Sequence, residues 1–254
     1  MSEMKVMLAE TYADQDPTGW FLSEKLDGVR AVWTGTRFLS REGNEFFAPA
    51  WFTAKLPTAI VLDGELTMGR GRFLDTVGAV KTKVPKDADW ADIHYLVFDL
   101  PEHPGTLEER YREILRLEAR FNFCAVQQTH CKGREHMKEV FEHILALKGE
   151  GVMLRLPASR YEFKRSHQML KVKPVLSLEA KVTDYLPGEG RNAGRTGALI
   201  CDFNGIRIRV GAGMSDKDRE NPPAIGSIIT FECTELNPSG APRFARFIGV
   251  RNYE

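Results

Sequence analysis

The sequence has 254 residues, of which 43% are apolar and 28% charged, enough for one large or two smaller domains with cores of their own. Lysine plus arginine equals aspartate plus glutamate at 35 each, and the balance holds within 179–254, so no global positive field draws in a polyanion and nucleic-acid binding must use a local face. Cys124, Cys131, Cys201 and Cys233 form no C-x-x-C pair, no run approaches the ~18 apolar residues of a membrane span, and residues 1–5 lack the apolar stretch of a secretory leader, which argues against a disulfide framework, a cysteine zinc site and a membrane protein.

In chain order, residues 20–33 alternate as strand, turn and strand around Glu24-Lys25-Leu26-Asp27-Gly28-Val29-Arg30. Ala59-Ile60-Val61-Leu62 is a short apolar run that leads into Asp63-Gly64-Glu65 and sets those polar groups at a strand end. A buried strand is predicted over 94–100, stopped by Pro101 and the Pro104-Gly105 turn. Residues 106–121 carry a helical pattern with Thr106 as N-cap, and 135–148 a second one. This irregular mixture predicts an α/β (α+β) domain over 1–174. Beyond it the texture changes to short strands between glycine and proline turns. The five candidates, 179–186, 197–203, 206–210, 227–236 and 243–250, are the number an OB barrel requires, and place an all-β domain over 178–254.

The chemistry concentrates around Lys25. An ordinary lysine, with a pKa of about 10.4, has no lone pair at neutral pH and must be desolvated or crowded by other cations to act as a nucleophile. Arg30 is one such cation and can grip a phosphate through its fork, while Gly28 permits a turn or a close ligand approach. Taken alone, K-x-D-G also fits a surface turn, Asp-Gly-Glu a solvated turn, and Phe98 an ordinary core aromatic. Lys171 and Lys173 alternate, which on one strand turns both ammonium groups to the same face and calls for an anion between them.

Taken together, Lys25-Leu26-Asp27-Gly28, Ser40-Arg41-Glu42-Gly43, Asp63-Gly64-Glu65, Tyr95-Leu96-Val97-Phe98-Asp99, Glu150-Gly151-Val152-Met153 and Lys171-Val172-Lys173 resemble, in order and spacing, the motifs of the covalent nucleotidyltransferases. The chain is most similar to the ATP-dependent DNA ligases of the minimal bacterial and phage type, with a nucleotidyltransferase domain followed by an OB domain. That resemblance implies Lys25 as the residue adenylylated by ATP and Phe98 as the ring that stacks on adenine. It implies Glu65 as a ribose or metal contact, Glu150 and Asp27 as metal-associated carboxylates, Lys171 and Lys173 at the α-phosphate, and Arg41 near the nick phosphate. The implied metal is magnesium, with manganese as its substitute, since a few carboxylates beside a triphosphate suffice for a hard cation.

The C-terminal Arg243-Phe244-Ala245-Arg246-Phe247-Ile248-Gly249-Val250-Arg251 resembles the last ligase motif, implied to orient pyrophosphate, although Asn252-Tyr253-Glu254 stands where an Asp-Lys pair is usual. Arg246 and Arg251, with Arg191 and Arg195 of the glycine-rich Gly188–Arg195 segment, are the candidate DNA contacts; the segment reads equally as a flexible hairpin. Ser23 departs from the base-reading residue that several ligases place two positions before the lysine, leaving adenine to backbone groups. The expected partner is nicked duplex DNA, bound by a monomer in the cytoplasm, or in the periplasm if a leader has been removed. An RNA ligase, a capping guanylyltransferase and a nick-binding module without catalysis are the competing readings.

Overall fold

The computed structural model describes residues 6–237 and 239–251, and divides into two units, Met1–Val172 and Lys173–Glu254. Among the described residues no helix is long and apolar enough to cross a membrane.

The first unit holds two sheets. In one, the strands Leu8–Thr11, Arg165–Val172, Val152–Arg155, Phe21–Glu24 and Thr129–His130 lie side by side in that order, the first pair parallel and the others antiparallel. Strand alternation sends Leu22, Val152, Leu154 and Leu170 to one face, where they pack with Met137 and Ile144 of the helix Arg134–Ala146. The opposite face carries a row in register, Lys171 beside Met153 beside Ser23. The other sheet orders Glu45–Phe46, Phe38–Leu39, Val29–Trp33, Leu62–Thr67, His94–Asp99 and Cys124–Ala125. Its Ala31, Trp33, Leu62, Leu66, Tyr95 and Val97 share a core with Val80, Trp90, Ile114 and Leu117. The helix Leu107–Glu118 begins in a reciprocal capping box between Thr106 and Glu109, which satisfies two otherwise unpaired N–H groups.

Asp63-Gly64-Glu65 lies inside the strand Leu62–Thr67, not at the strand end that the sequence predicts. The apolar run before it is the approach to the strand, and Gly64 explains the shift: a Cβ there would sit 2.6 Å from Leu96 O and 2.7 Å from the Tyr95 ring, so the glycine serves close strand packing rather than a turn. Tyr95 uses that space to bring its hydroxyl within 2.9 and 3.0 Å of the carbonyls of Ala31 and Leu62.

Charge joins the two sheets of this unit. Asp99, fully buried at the end of its strand, accepts from Arg110 Nε at 2.5 Å and from Arg155, which sits on the other sheet and also donates to Phe98 O at 2.5 Å. Burial alone would push Asp99 up, but Arg155 and Arg110 outweigh it and hold the carboxyl below the usual range.

In the second unit the five-stranded order is Ile206–Val210, Thr196–Phe203, Leu176–Pro187, Ile228–Cys233 and Arg246–Val250. A parallel bridge between Ala212 and Arg246, with Phe247 N–H donating to Ala212 O at 2.8 Å, closes the two edges into a barrel around Val182, Leu199, Val210, Ile229 and Phe231. Arg219, on the short helix Asp216–Glu220, donates to the carbonyls of Thr196, Gly197 and Gly211 and so satisfies backbone where strands end.

Replacing Asp99 with alanine leaves two arginines buried without their anion and is expected to lower stability by roughly 3–5 kcal/mol in urea unfolding. Because the folded-state value of Asp99 is depressed, its contribution is complete above the unfolded carboxylate value of about 3.9 and is lost as pH falls through the folded value. Below about pH 4, unfolding free energy should therefore drop more steeply for the natural protein than for Asp99→Asn.

Candidate active site

Lys25 occupies the four-residue link between the sheets: the strand Phe21–Glu24 belongs to one, Val29–Trp33 to the other. Its own N–H donates to Gly151 O at 2.9 Å, which fixes the start of the link on the neighbouring strand's entry. At the far end, a Cβ on Gly28 would lie 2.5 Å from Leu66 O and 2.8 Å from Glu65 Cγ, so the close approach that requires glycine is to the protein's own strand. Thr67 Oγ1 donates to Asp27 O at 2.8 Å and completes the seam.

Between the sheets lies a cavity of about 300 Å³, lined among others by Ser23, Glu24, Lys25, Arg30, Arg41, Glu65, Phe98, Met153, Arg155 and Lys171. Lys25 Nζ donates to Glu150 Oε2. Burial pushes the Glu65 carboxyl up to about 8, against the pull of Lys25 and Arg30. Phe98 faces the cavity because it alternates with Val97 and Asp99, which point into the core. Guanidinium carbons of Arg30 and Arg155 lie 5.3 and 5.8 Å from its ring centroid.

Several expected residues meet here and others do not. Lys25, Arg30, Arg41, Glu65, Phe98 and Lys171 share the cavity wall, and Glu150 joins them through Lys25. The Arg30 fork, expected on a phosphate, is bidentate to Asp63 at 2.9 and 2.6 Å, and its remaining nitrogen donates to Met7 O at 2.7 Å. Tyr161 adds a hydrogen bond to Asp63 at 2.7 Å, so this arginine works as a clamp beneath Phe98. The strand with Lys171 ends at Val172, so Lys173 is not its partner on one strand face but the first residue of the second unit. Asp27 does not line the cavity.

Arg41 is well exposed on the turn between Phe38–Leu39 and Glu45–Phe46 and sits 3.5 Å from Glu42. In the second unit, Arg195 bonds to Asp216 at 3.0 Å and to Asn192 at 3.1 Å, which makes it part of the loop's frame; Arg191 is exposed on the turn Gly190–Asn192. Arg246 is exposed and Arg251 pairs with Glu179.

Sequence reasoning missed Glu24, whose carboxylate is held by both fork nitrogens of Arg70 at 2.7 Å, and Arg155, which lines the cavity and pairs with Asp99. The glycines that flank Arg70 at positions 69 and 71 were a signal for a tight loop, but nothing in spacing named its target. Among the described residues, no three His, Cys, Asp or Glu side chains converge as a metal cage. The all-oxygen donors Glu65 and Glu150 still fit magnesium or manganese, which take one or two carboxylates and complete their shell with water and substrate phosphates.

Residues 3–173 match the model of the ATP dependent DNA ligase domain, and 187–251 that of the DNA ligase OB-like domain. The chain is 36% identical over 245 residues to a DNA ligase of Haemophilus influenzae, covering 95% of this chain and 90% of that protein. Its structure is similar to that of a Lig E DNA ligase described as binding DNA with a minimal scaffold, at 34% identity and a TM-score of 0.87, over 97% of this chain and 99% of the other. The bacteriophage T7 ATP-dependent DNA ligase in complex with ATP shares the fold, at 16% identity and a TM-score of 0.56 over 98% and 99% of the two chains.

If the Arg30 fork serves Asp63, Arg30→Lys should lower the stability of the protein without added nucleotide by about 2 kcal/mol or more. An arginine reserved for a phosphate would leave thermal unfolding without nucleotide unchanged.

Proposed function

This chain belongs to the ATP-dependent DNA ligases, and on that premise we propose that Lys25 is the nucleophile that carries AMP between ATP and the 5′-phosphate of a nick in duplex DNA. The observation that carries the reading is the meeting, in one cavity, of the Lys25 amine with its hydrogen-bonded Glu150, the Phe98 ring and the Lys171 ammonium.

Phe98 and Met153 come from opposite sheets and give a flat base two apolar faces. Lys171 supplies positive charge for the α-phosphate. Lys25 Nζ attacks that phosphorus, the bond to pyrophosphate breaks, and a phosphoramidate remains on the lysine. The amine must shed its protons to do so, and Glu150, already its acceptor, is placed to receive one. Glu65 and Glu150 would hold the magnesium or manganese ion, which supplies charge neutralisation for the departing pyrophosphate. The 5′-phosphate then takes AMP from Lys25, and the 3′-hydroxyl displaces AMP to restore the phosphodiester. Arg41, exposed at the cavity rim, is suited to the 5′-phosphate, and Arg191 and Arg246 present exposed charge to the duplex from the second unit.

Incubation with α-labelled ATP and magnesium should give the natural protein an acid-labile label that pyrophosphate removes, and Lys25→Ala none; equal labelling of both would remove Lys25 from the role. Phe98→Leu should raise the ATP concentration needed for half-maximal labelling on the order of tenfold, the scale of one lost base–aromatic contact. In nick binding, Arg191→Ala should reduce the slope of log K against log salt by about 0.9, as expected for one phosphate contact. Arg195→Ala should instead lower the unfolding temperature of the second unit.

A further inference from the structure

A second ion pair borders the Lys25 link. Glu24, the last residue of the strand Phe21–Glu24 and part of the cavity wall, has one carboxylate oxygen on Arg70 Nε and the other on Arg70 Nη2, both at 2.7 Å. Arg70 comes from the other sheet, on the loop that follows the strand Leu62–Thr67. That loop is rooted on the link: Thr67 Oγ1, which donates to Asp27 O, accepts the Gly69 N–H at 3.0 Å. Gly69 and Gly71 have φ of +94° and +73° with open space where a Cβ would stand, so the backbone turn around Arg70, not packing, calls for glycine. On its other side the Glu24 carboxylate meets Gly149, where a Cβ would lie 3.0 Å from Oε1. Gly149 opens the segment Gly149-Glu150-Gly151, which gives Lys25 both its carboxylate partner and the carbonyl that fixes its N–H.

A carboxylate one residue from the nucleophile is out of place in a site that must admit a triphosphate. Unpaired, it would set a further negative charge close to the Glu150 segment and repel the incoming anion. We propose that Arg70 is a positioning residue for nucleotidyl transfer: by taking both oxygens of Glu24 it cancels a charge at the cavity wall that would otherwise oppose ATP. The proposal rests on the reading of the cavity as the nucleotide site. The guanidinium suits the task because its planar fork engages two carboxylate oxygens at once, whereas an ammonium acts as a point charge. Glu24 is 26% and Arg70 36% exposed, and a pair so open to solvent adds little to stability, so its value lies in where it places charge.

The test follows labelling of the full chain with α-labelled ATP and magnesium in single turnovers, at limiting and at saturating ATP. Arg70→Ala should label roughly tenfold more slowly at limiting ATP, and much of the deficit should disappear at saturation, since the released charge opposes binding. Arg70→Lys, which keeps the charge and loses the fork, should fall between. Adding Glu24→Gln to Arg70→Ala should recover most of the lost rate, because no anion is then left to mask, and the unfolding temperatures of all three variants should stay within a few degrees of the natural protein. A double variant as slow as Arg70→Ala would make the pair a structural tie, and natural labelling by Arg70→Ala would leave the charge without effect; either overturns the proposal. Natural labelling by Arg70→Ala with defective sealing of a nick by the labelled protein would assign Arg70 to DNA and overturn it as well. Absence of any Lys25-dependent label in the natural protein would instead refute the cavity as the nucleotide site.

Discussion

Two guanidinium groups rest against the Phe98 ring, and each stays there because a buried carboxylate holds it. Arg30 is fixed by Asp63 and Arg155 by Asp99, with Arg110 as a second partner to the latter. Such clusters add little net stability, since desolvation offsets most of the Coulombic gain. Their value is positional. Asp63 and Asp99 face each other across adjacent strands of one sheet, whereas Arg155 projects from the other sheet, so the ion pairs set the gap in which a base can lie. Phe98, Glu65 and Lys171 keep their spacing only while that gap holds.

The second unit solves a different problem with the same economy of charge. Its arginines are divided between frame and surface: Arg219 and Arg195 are tied to carbonyls and carboxylates of the barrel, while Arg191 and Arg246 are exposed. A chain of zero formal charge can therefore present positive groups locally without a basic composition.

Much of the candidate site was legible because its residue types recur as ordered, evenly recognisable motifs. Lys25, Glu65, Phe98, Glu150 and Lys171 stood out in order and spacing, and the barrel strands were readable from alternation and turns. What escaped was pairing at a distance. Arg30 looked like a phosphate grip because its partner Asp63 lies 33 positions away, and periodicity carries no information about which charges neutralise one another. Asp-Gly-Glu looked like a turn because its glycine follows turn statistics, whereas packing against Tyr95 puts it inside a strand. Lys173 was grouped with Lys171 by alternation, which cannot show that the strand stops one residue earlier.

The short span that carries Lys25 is anchored at both ends by hydrogen-bond ladders of separate sheets, with Gly28 pressed on one and the Lys25 N–H tied to the other. Such a tether is held at both ends by backbone contacts rather than by side chains alone. Natural variation in length is thus expected to accumulate in the Ser40–Gly43 and Gly188–Arg195 turns and to avoid positions 25–28, where one inserted or deleted residue would disturb one of the two anchors. The Lys25 amine is placed less by its charged neighbours than by the two backbone anchors on either side of it.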